Sequence, residues 1–340
     1  MKQNYRAWLI KIDDFYKNNL KQEQFKLLLN FAVLAPSSHN SQPWRFKASE
    51  NTIEVHVEST RRLKESDKND RQLFISLGCA IKNILIAGNY YGLHGEVKYF
   101  PNQENHDHAA TIHFKKSIPD TSKNHLIFSI PKRVTNRNKC MNKSAPELLL
   151  QKVKSLSTDN LRIDMMSDQQ KKNQLADVAI EAGITAMEDD NFRKELSHYV
   201  KSNITSSPIG MPAFGMGIPA PISFIAPAML KRINMNKKTR KKDKKLLKEH
   251  TPLFIVISTK EDNPITWMKT GQVYEEITLR ATRDNLTTQP WAAPIQIREY
   301  YKEFQKILNI EFRPQFFCRM GYPIKPTPHS PRLGADEVSI

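Results

Sequence analysis

A loop-forming stretch near the N-terminus decides the fold: residues 35–44 read Ala35-Pro36-Ser37-Ser38-His39-Asn40-Ser41-Gln42-Pro43-Trp44. Apolar residues before it recur at helical spacing, and Pro36 ends that helix. The two prolines stiffen the loop, its polar side chains offer hydrogen-bond donors and acceptors, and Trp44 offers a flat apolar face. Such a loop suits a pocket wall for a planar ring rich in heteroatoms, although a turn whose polar groups satisfy the backbone has the same composition.

Length and composition indicate a globular protein with one large domain or two of ordinary size. The chain has 340 residues, of which 39% are hydrophobic and 26% are charged. No apolar run approaches the roughly 20 residues of a membrane-spanning helix. The N-terminus has no signal-peptide core, so we expect a cytoplasmic protein that does not enter a membrane. The three cysteines are far apart and odd in number, which argues against a disulfide framework or a cysteine-rich zinc site.

A concentrated basic stretch accounts for much of the net charge of +17. Residues 231–248 hold ten Lys or Arg residues and one acid, Asp243. No aromatic residue interrupts them, so the stacking platform of single-strand nucleic-acid binders is missing. We expect a solvated helix or loop and no specific nucleic-acid partner. An anionic ligand, nucleic acid or an acidic membrane surface stays open as the alternative.

The hydrophobic patterns predict an α+β chain whose second part repeats the first. Helical spacing covers 71–91, 168–187, 267–283 and 296–308. Strand patterns cover 53–57, 96–100, 111–114, 161–165, 251–259 and 315–322. Residues 78–87 align with residues 271–280, each opening with a glycine, which favours a duplication with domains 1–120 and 121–340. Residues 204–223, rich in Pro, Gly and Met, are too long for an ordinary connection and indicate a lid or an ordered loop.

Two basic motifs stand in the second part of the chain. Arg133-Val134-Thr135-Asn136-Arg137 follows the predicted domain boundary, and Ser330-Pro331-Arg332 lies in the tail. The planar guanidinium of arginine binds phosphate oxygens in pairs and stays charged. Two arginines four residues apart are also common as a solvated surface pair, so the spacing alone decides nothing.

The stretch from Pro36 to Trp44 resembles, without a gap, the P-S-S-x-N-x-Q-P-W signature of the nitroreductase flavoproteins. In that family the loop packs against FMN and comes from the subunit opposite the one that holds the phosphate. The arginine motif at 133–137 is similar to the family's R-x-S-x-R/K motif. The tail from Gly321 to Arg332 is similar to its closing segment, although Ser330 stands where the family often has Lys. The resemblance implies FMN contacts from Pro36, Ser37, Ser38, His39, Asn40, Gln42, Pro43, Trp44, Arg133, Thr135, Arg137, Ser330 and Arg332.

Because the ring-packing loop and the arginines fall in different halves, the chain resembles the fused-duplicate Acg family of FMN-binding proteins. Residues 61–63, 70–71 and 75–78 add to that likeness. The implied fold is α+β and nitroreductase-like, with two subunit-like halves in one chain and mixed β-sheets flanked by helices, as a monomer or a homodimer. The implied activity is ping-pong reduction of nitroaromatic, quinone or similar acceptors by NADH or NADPH, with no catalytic side chain assigned. The alternative is an FMN-sequestering protein whose lid occludes the flavin.

A histidine-rich turn is the remaining candidate for a site. His106, Asp107, His108 and His113 include metal-ligand types. They lie in and beside a polar turn between two short predicted strands. We therefore expect an exposed hairpin and no bound metal.

Overall fold

The computed structural model describes residues 3–13, 21–102, 104–123, 125–232 and 236–340. The helices in these ranges are α1 (Lys21–Ala32), α2 (Arg71–Tyr90), α3 (Glu147–Lys154), α4 (Gln169–Glu188), α5 (Asp190–Tyr199), α6 (Ala220–Ser223), α7 (Ala226–Arg232), α8 (Asn236–Glu249), α9 (Pro264–Arg283), α10 (Ala293–Gln296), α11 (Tyr300–Leu308) and α12 (Ala335–Val338). The strands are β1 (Trp44–Ala48), β2 (Thr52–Val57), β3 (Leu93–Tyr99), β4 (His108–Lys116), β5 (Leu161–Met166), β6 (Val200–Lys201), β7 (Met211–Pro212), β8 (Leu253–Thr259), β9 (Thr287–Pro290) and β10 (Arg313–Gly321).

Each half builds a four-stranded sheet with the same topology. The first sheet has the order β1-β2-β4-β3, and the second has the order β5-β8-β10-β9. In both, a long helix separates the second strand in the chain from the third: α2 follows β2, and α9 follows β8. The chain therefore has the expected α+β fold, built as two halves of like topology. Both large sheets are antiparallel. Parallel pairing in the described residues is confined to the short β6–β7 ladder and two isolated bridges.

Helices α2 and α9 pack closely because a glycine on each leaves room for the backbone of the other. A Cβ atom added to Gly78 of α2 would overlap the carbonyl oxygen of Met268, and one added to Gly271 of α9 would overlap the carbonyl oxygen of Ile75. Each glycine meets the residue three positions before the other glycine, so the contact is reciprocal, as at the two-fold interface of a dimer. The thiol of Cys79 donates a hydrogen bond to the carbonyl of Gly271 at 3.3 Å.

Among the described residues, only helix α2 is long and apolar enough to cross a membrane. However, 78% of its apolar 18-residue segment is buried inside the protein. It is therefore a core helix, lying between α9 and the sheet of its own half, and no membrane protein is indicated.

The C-terminal tail, which we placed in the second domain, returns to the first half. Ser339 forms a parallel bridge with Phe46 of β1, and the amide of Ile340 donates to the carbonyl of Phe46 at 2.9 Å. The boundary proposed at residue 120 falls between β4 and a 3-10 helix, Leu126–Lys132. The two halves are thus joined by the C-terminal segment, which crosses from the second half to the first, as well as by the packing of α2 against α9.

One predicted helix was wrong at its start. The helix expected over 296–308 is divided into α10 and α11, because Arg298 adopts a left-handed conformation with φ of 45°. Strand β9 was not predicted, since its four residues carry no alternating pattern. Other predicted helices and strands of the second half lie within a few residues of their expected bounds.

Candidate functional site

A cavity of about 300 Å³ lies where the two halves meet. That volume is at the lower end of the roughly 300–1,000 Å³ of small-molecule sites. The first half contributes the start of the loop and one side of α2; the second half contributes the arginine motif, α9 and the second sheet. The insertion between β5 and β8 closes the top. The lining residues are Pro36, Ser37, Ser38, His39, Gln72, Ile75, Ser76, Cys79, Thr135, Arg137, Leu196, Met211, Met216, Tyr274, Pro290, Ala292 and Phe316.

The loop from Pro36 to Trp44 has an unusual backbone. His39, Asn40 and Gln42 have φ values of 52°, 55° and 52°, a left-handed region in which residues other than glycine are uncommon. Such positions cost on the order of 1 kcal/mol or more each and persist where the surroundings hold them. The hydrogen bonds of Asn40 and Gln42 supply that restraint, and the resulting bend turns residues 36–39 toward the cavity.

Asn40 and Gln42 tie the loop to the lid segment and to the tail rather than lining the cavity. The Asn40 amide donates to the carbonyls of Gly210 at 2.9 Å and Pro331 at 3.0 Å. The Gln42 amide donates to the carbonyl of Pro208 at 2.8 Å, and its oxygen accepts from the amide of Leu333 at 3.0 Å. Both side chains are therefore scaffolding for the loop.

Trp44 and Pro43 also lie outside the cavity lining. Trp44 is fully buried on β1, with its ring 6.4 Å from that of Phe46. The expectation that its indole face would line a ring pocket was wrong, because the first position of β1 points into the core. Pro43 is buried beside it, and its carbonyl accepts from the amide of Glu58 at 3.1 Å.

Arg133 and Arg332 lie together beneath the loop, although the sequence separates them widely. Both are buried, with exposed fractions of 2% and 5%. Arg133 donates to the carbonyl of Leu34 at 3.3 Å. Arg332 donates to the carbonyl of Ala35 at 3.3 Å and to the side-chain oxygen of Asn40 at 2.6 Å. The second-half arginines thus contact the backbone of the first-half loop.

The positive charge of this arginine pair is only partly balanced. Glu275 of α9 lies 3.7 Å from the Nε of Arg133, and no carboxylate among the described residues forms an ion pair with Arg332. The Nε and Nη1 of Arg133 and the Nε of Arg332 are buried without a hydrogen-bond partner in the protein. Burial and the charge of Arg133 lower the pKa of Arg332 to about 9, so it stays protonated at neutral pH. Burial raises the pKa of Glu275 to about 7 against the attraction of Arg133.

Thr135 and Arg137 line the cavity itself. The guanidinium of Arg137 donates to the sulfur of Met211 at 3.3 Å, a weak acceptor that leaves most of its hydrogen-bonding capacity unused. Burial lowers the pKa of His39 to about 4, against the opposing charge of Glu195, so the imidazole is neutral at pH 7. Its Nε2 is buried without a partner in the protein. Ser330 lies outside the lining, and its carbonyl accepts from the indole of Trp8 at 2.9 Å.

The segment 204–223, expected as a lid or an ordered loop, is ordered and covers the cavity. The Asn4 amide holds the carbonyls of Thr205 and Ser207, both at 3.1 Å. The amide of Gly210 donates to the carbonyl of Asn40 at 3.1 Å. Met211 and Met216 then line the cavity.

Sequence reasoning missed the wall formed by α2 and α9. Gln72, Ile75, Ser76 and Cys79 follow one face of α2 into the cavity, and Tyr274 enters from α9. A signal existed: Gln72 and Ser76 are polar residues on an otherwise apolar helix. The Tyr274 hydroxyl lies 3.1 Å from the Thr288 hydroxyl, which fixes its ring against the second sheet.

The basic stretch forms α8, and part of it is not simply a solvated face. Lys242 and Lys245 line a second cavity, of about 340 Å³, with Lys139, Lys325 and Arg137. Arg137 also lines the first cavity, and Lys242 donates to the carbonyl of Met216 in the lid at 3.0 Å. Residues 233–235 of the stretch lie outside the described residues. The lysines therefore place positive charge beside the lid, next to the first cavity.

Comparisons with known proteins find similar proteins that are named putative nitroreductases. A family profile described as a putative TM nitroreductase matches residues 4–78. A putative NAD(P)H nitroreductase of Mycobacterium tuberculosis (strain ATCC 25618 / H37Rv) is 23% identical over 322 residues, which cover 93% of this chain and 91% of that protein. This chain is thus similar over nearly its whole length to proteins named putative nitroreductases. The putative NAD(P)H nitroreductase acg of the same organism is 24% identical over 322 residues, covering 92% of this chain and 94% of that relative.

Solved nitroreductase-like structures were also found. The FMN-dependent nitroreductase NfnB from Mycobacterium smegmatis, in complex with NADPH, is 15% identical with a TM-score of 0.40, covering 62% of this chain and 94% of that one. Iodotyrosine deiodinase bound to FMN and 3-iodo-L-tyrosine is 17% identical with a TM-score of 0.39, covering 61% and 95%. The similarity of the whole chain to putative nitroreductases rests on the relatives that cover more than nine tenths of it.

Proposed function

We propose that the chain binds one FMN between its two halves and works as an NAD(P)H-dependent oxidoreductase of the nitroreductase kind. The observation that carries this proposal is the meeting of two distant segments, the 36–39 loop and the arginine motif, around one buried cavity. Each segment resembles one half of the family's FMN site. The names of the full-length relatives, putative NAD(P)H nitroreductases, support the same reading.

Arg133 and Arg332 lie outside the cavity lining, beneath the loop, but their buried guanidinium groups suit an FMN phosphate. Three of their nitrogens lack a hydrogen-bond partner, although the Nε of Arg133 lies 3.7 Å from Glu275, a single carboxylate of raised pKa that faces two cations. A phosphate would supply the missing charge and several strong acceptors. We propose that Arg133 and Arg332 hold the phosphate, with the hydroxyl of Ser330 in support. Residues 36–39, Thr135 and Arg137 would hold the ring.

FMN bound there would supply two-electron chemistry, accepting hydride from NADH or NADPH and reducing a nitroaromatic, quinone or similar acceptor in a ping-pong cycle. The chain's own residues would bind FMN, orient its ring and shield it. Arg137 brings positive charge to the cavity, which favours anionic groups. Neutral His39 offers a hydrogen bond without a charge. Met211 and Met216 give the cavity an apolar wall, and hydride transfer through FMN would need no side-chain nucleophile.

The nicotinamide coenzyme carries phosphates, and the second cavity beside Arg137 suits them. Lys139, Lys242, Lys245 and Lys325 surround it, and its floor includes Leu246 and Ile324. We propose that this surface receives the anionic part of NADH or NADPH while the nicotinamide reaches the first cavity. We also propose a cytoplasmic protein that acts as a monomer with two subunit-like halves or as a homodimer.

Anaerobic reduction tests the activity. Purified holoprotein mixed with NADH or NADPH in the absence of oxygen is expected to lose its flavin absorbance near 450 nm within seconds, because the bound ring accepts the hydride. Addition of a nitroaromatic or a quinone is then expected to restore the absorbance. Flavin that stays oxidised with both coenzymes, in protein that dithionite reduces, would count against turnover.

Sequestration of FMN is the second candidate function, and the lid is the observation that favours it. Several hydrogen bonds hold the lid over the cavity, including those from Asn4. Asn4→Ala removes two of them, each about 0.5–1.5 kcal/mol, from outside the cavity. If the lid limits coenzyme access, this variant should speed flavin reduction severalfold. An equal rate in wild type and variant would remove the lid as the reason for slow turnover.

A further inference from the structure

Three metal-ligand side chains meet on the first sheet, outside the cavity between the halves. Glu54 and His56 lie on β2, and His108 begins β4. The Nε2 of His56 lies 2.9 Å from the Oε2 of Glu54, and the Nε2 of His108 lies 3.9 Å from the same oxygen. The two imidazole rings stack with centroids 4.4 Å apart. One ligand atom from each residue can be chosen so that all three lie within 4.8 Å of one another.

An irregular strand pairing produces this cluster. Residues 54 and 56 share one face of β2, because side chains alternate along a strand. The register between β2 and β4 shifts at Val55/His56, and the shift pairs His56 directly with His108. Such irregularities re-aim side chains, and they are common beside functional sites. The sequence shows the two histidines 52 positions apart, so spacing alone could not have joined them.

The surroundings are partly shielded from solvent. The side chains of Glu54, His56 and His108 are 24%, 15% and 14% exposed. The Thr111 hydroxyl lies 2.9 Å from the Nε2 of His108, a contact that a bound metal ion would replace. The nearest competing cation is Lys47, whose Nζ lies 3.8 Å from Glu54. A partly desolvated, preoriented group of two imidazoles and a carboxylate is a better ligand set than three exposed side chains.

We propose that Glu54, His56 and His108 form a binding site for a divalent transition-metal ion of the zinc type. Zinc binds imidazole nitrogen and carboxylate oxygen at about 2.0–2.2 Å, so its ligands lie roughly 3–3.5 Å apart. The separations of 2.9 and 3.9 Å bracket that range, and the stacked rings would turn so that both Nε2 atoms face the ion. The three ligands would leave a fourth position for water and clip β2 to β4. The proposal departs from the expectation of a metal-free hairpin, and of the histidines first considered only His108 takes part.

Titration of the tag-free full chain with Co²⁺ and Zn²⁺ after chelator treatment tests the site. One Co²⁺ per chain is expected, with visible d–d absorption that Zn²⁺ displaces, and Zn²⁺ should raise Tm. His56→Ala and His108→Ala should each weaken binding at least about tenfold, since each removes one ligand. His113→Ala, at an exposed position of the same strand, is the matched control and should bind as wild type does.

Two results would overturn the proposal: no saturable binding of Co²⁺ or Zn²⁺, or equal binding in the His56→Ala, His108→Ala and His113→Ala variants. Circular dichroism of each variant checks folding, and Glu54→Gln, which keeps the side-chain volume, provides a further variant. Flavin content measured on the same samples separates this site from the FMN proposal, because none of the three residues lines the cavity between the halves.

Discussion

The Gly271→Ala variant is expected to be severely destabilised. A Cβ at this position would overlap the carbonyl oxygen of Ile75 on α2, and backbone atoms cannot move aside without separating the two helices. Overpacking of this kind costs about 1–3 kcal/mol and sometimes more, and the contact lies at the centre of the interface between halves. For a chain of this length that corresponds to a fall in Tm of about 1.5–4 °C, measured by circular dichroism, and to a larger fall where the helices separate. Gly78→Ala should behave alike, because its Cβ would overlap Met268 in the same way.

Gly183→Ala is the matched control for that prediction. Gly183 lies inside α4, and a Cβ there would meet nothing closer than the indole nitrogen of Trp291 at 4.0 Å. Replacing a glycine within a helix by alanine is expected to stabilise by about 0.5–1 kcal/mol where space allows. A Gly271→Ala protein as stable as Gly183→Ala would show that the helices do not approach as closely as described here.

The Arg133→Gln variant is expected to lose FMN. On our proposal Arg133 donates charge-assisted hydrogen bonds to the phosphate, each about 1.5–3 kcal/mol. Loss of one such interaction corresponds to an FMN dissociation constant raised roughly 10- to 150-fold, measured by the quenching of flavin fluorescence. Arg332→Gln should have a similar effect, because its Nε is also buried without a partner.

Riboflavin, which lacks the phosphate, is the control ligand for these variants. Its affinity should be nearly the same in wild type and in Arg133→Gln if the arginine contacts only the phosphate. Because Arg133→Gln leaves Glu275 buried without its cation, the double variant Arg133→Gln/Glu275→Gln keeps the charge balanced and checks folding. Arg162→Gln, at an exposed ion pair on β5, controls for the lost charge alone. Unchanged FMN affinity in Arg133→Gln would remove Arg133 from the phosphate site.

The sequence predicted features that depend on local pattern. Helices α2 and α9 follow from apolar periodicity, and the alignment that favoured duplication paired Gly78 with Gly271, which prove to lie where the two helices touch. The loop at 36–44 and the arginines at 133 and 137 were found through their resemblance to the nitroreductase signature motifs. Duplication of an ancestral subunit stays a prediction, which the matching sheet orders support.

Features that depend on tertiary placement were not predictable. Trp44 faces the core rather than the cavity, because the direction of a strand's first residue depends on which face its sheet buries. The sequence predicted solvated positions for Lys242 and Lys245, whereas the fold places them around the second cavity with Lys139 and Lys325. The pairing of His56 with His108 depends on a shift of strand register, which leaves no trace in the spacing of residues. Gln72 and Ser76 alone gave a local hint, as polar residues on the buried face of α2.

The number of FMN molecules that each chain binds tests the central claim most directly. The first half has the ring-packing loop without the arginines, and the second half has the arginines without the loop, so the two halves together complete one site. Flavin released from pure, FMN-saturated protein, measured against chain concentration by amino-acid analysis, should equal one per chain. Two FMN per chain, or none in folded protein supplied with FMN, would contradict a single site shared between the halves.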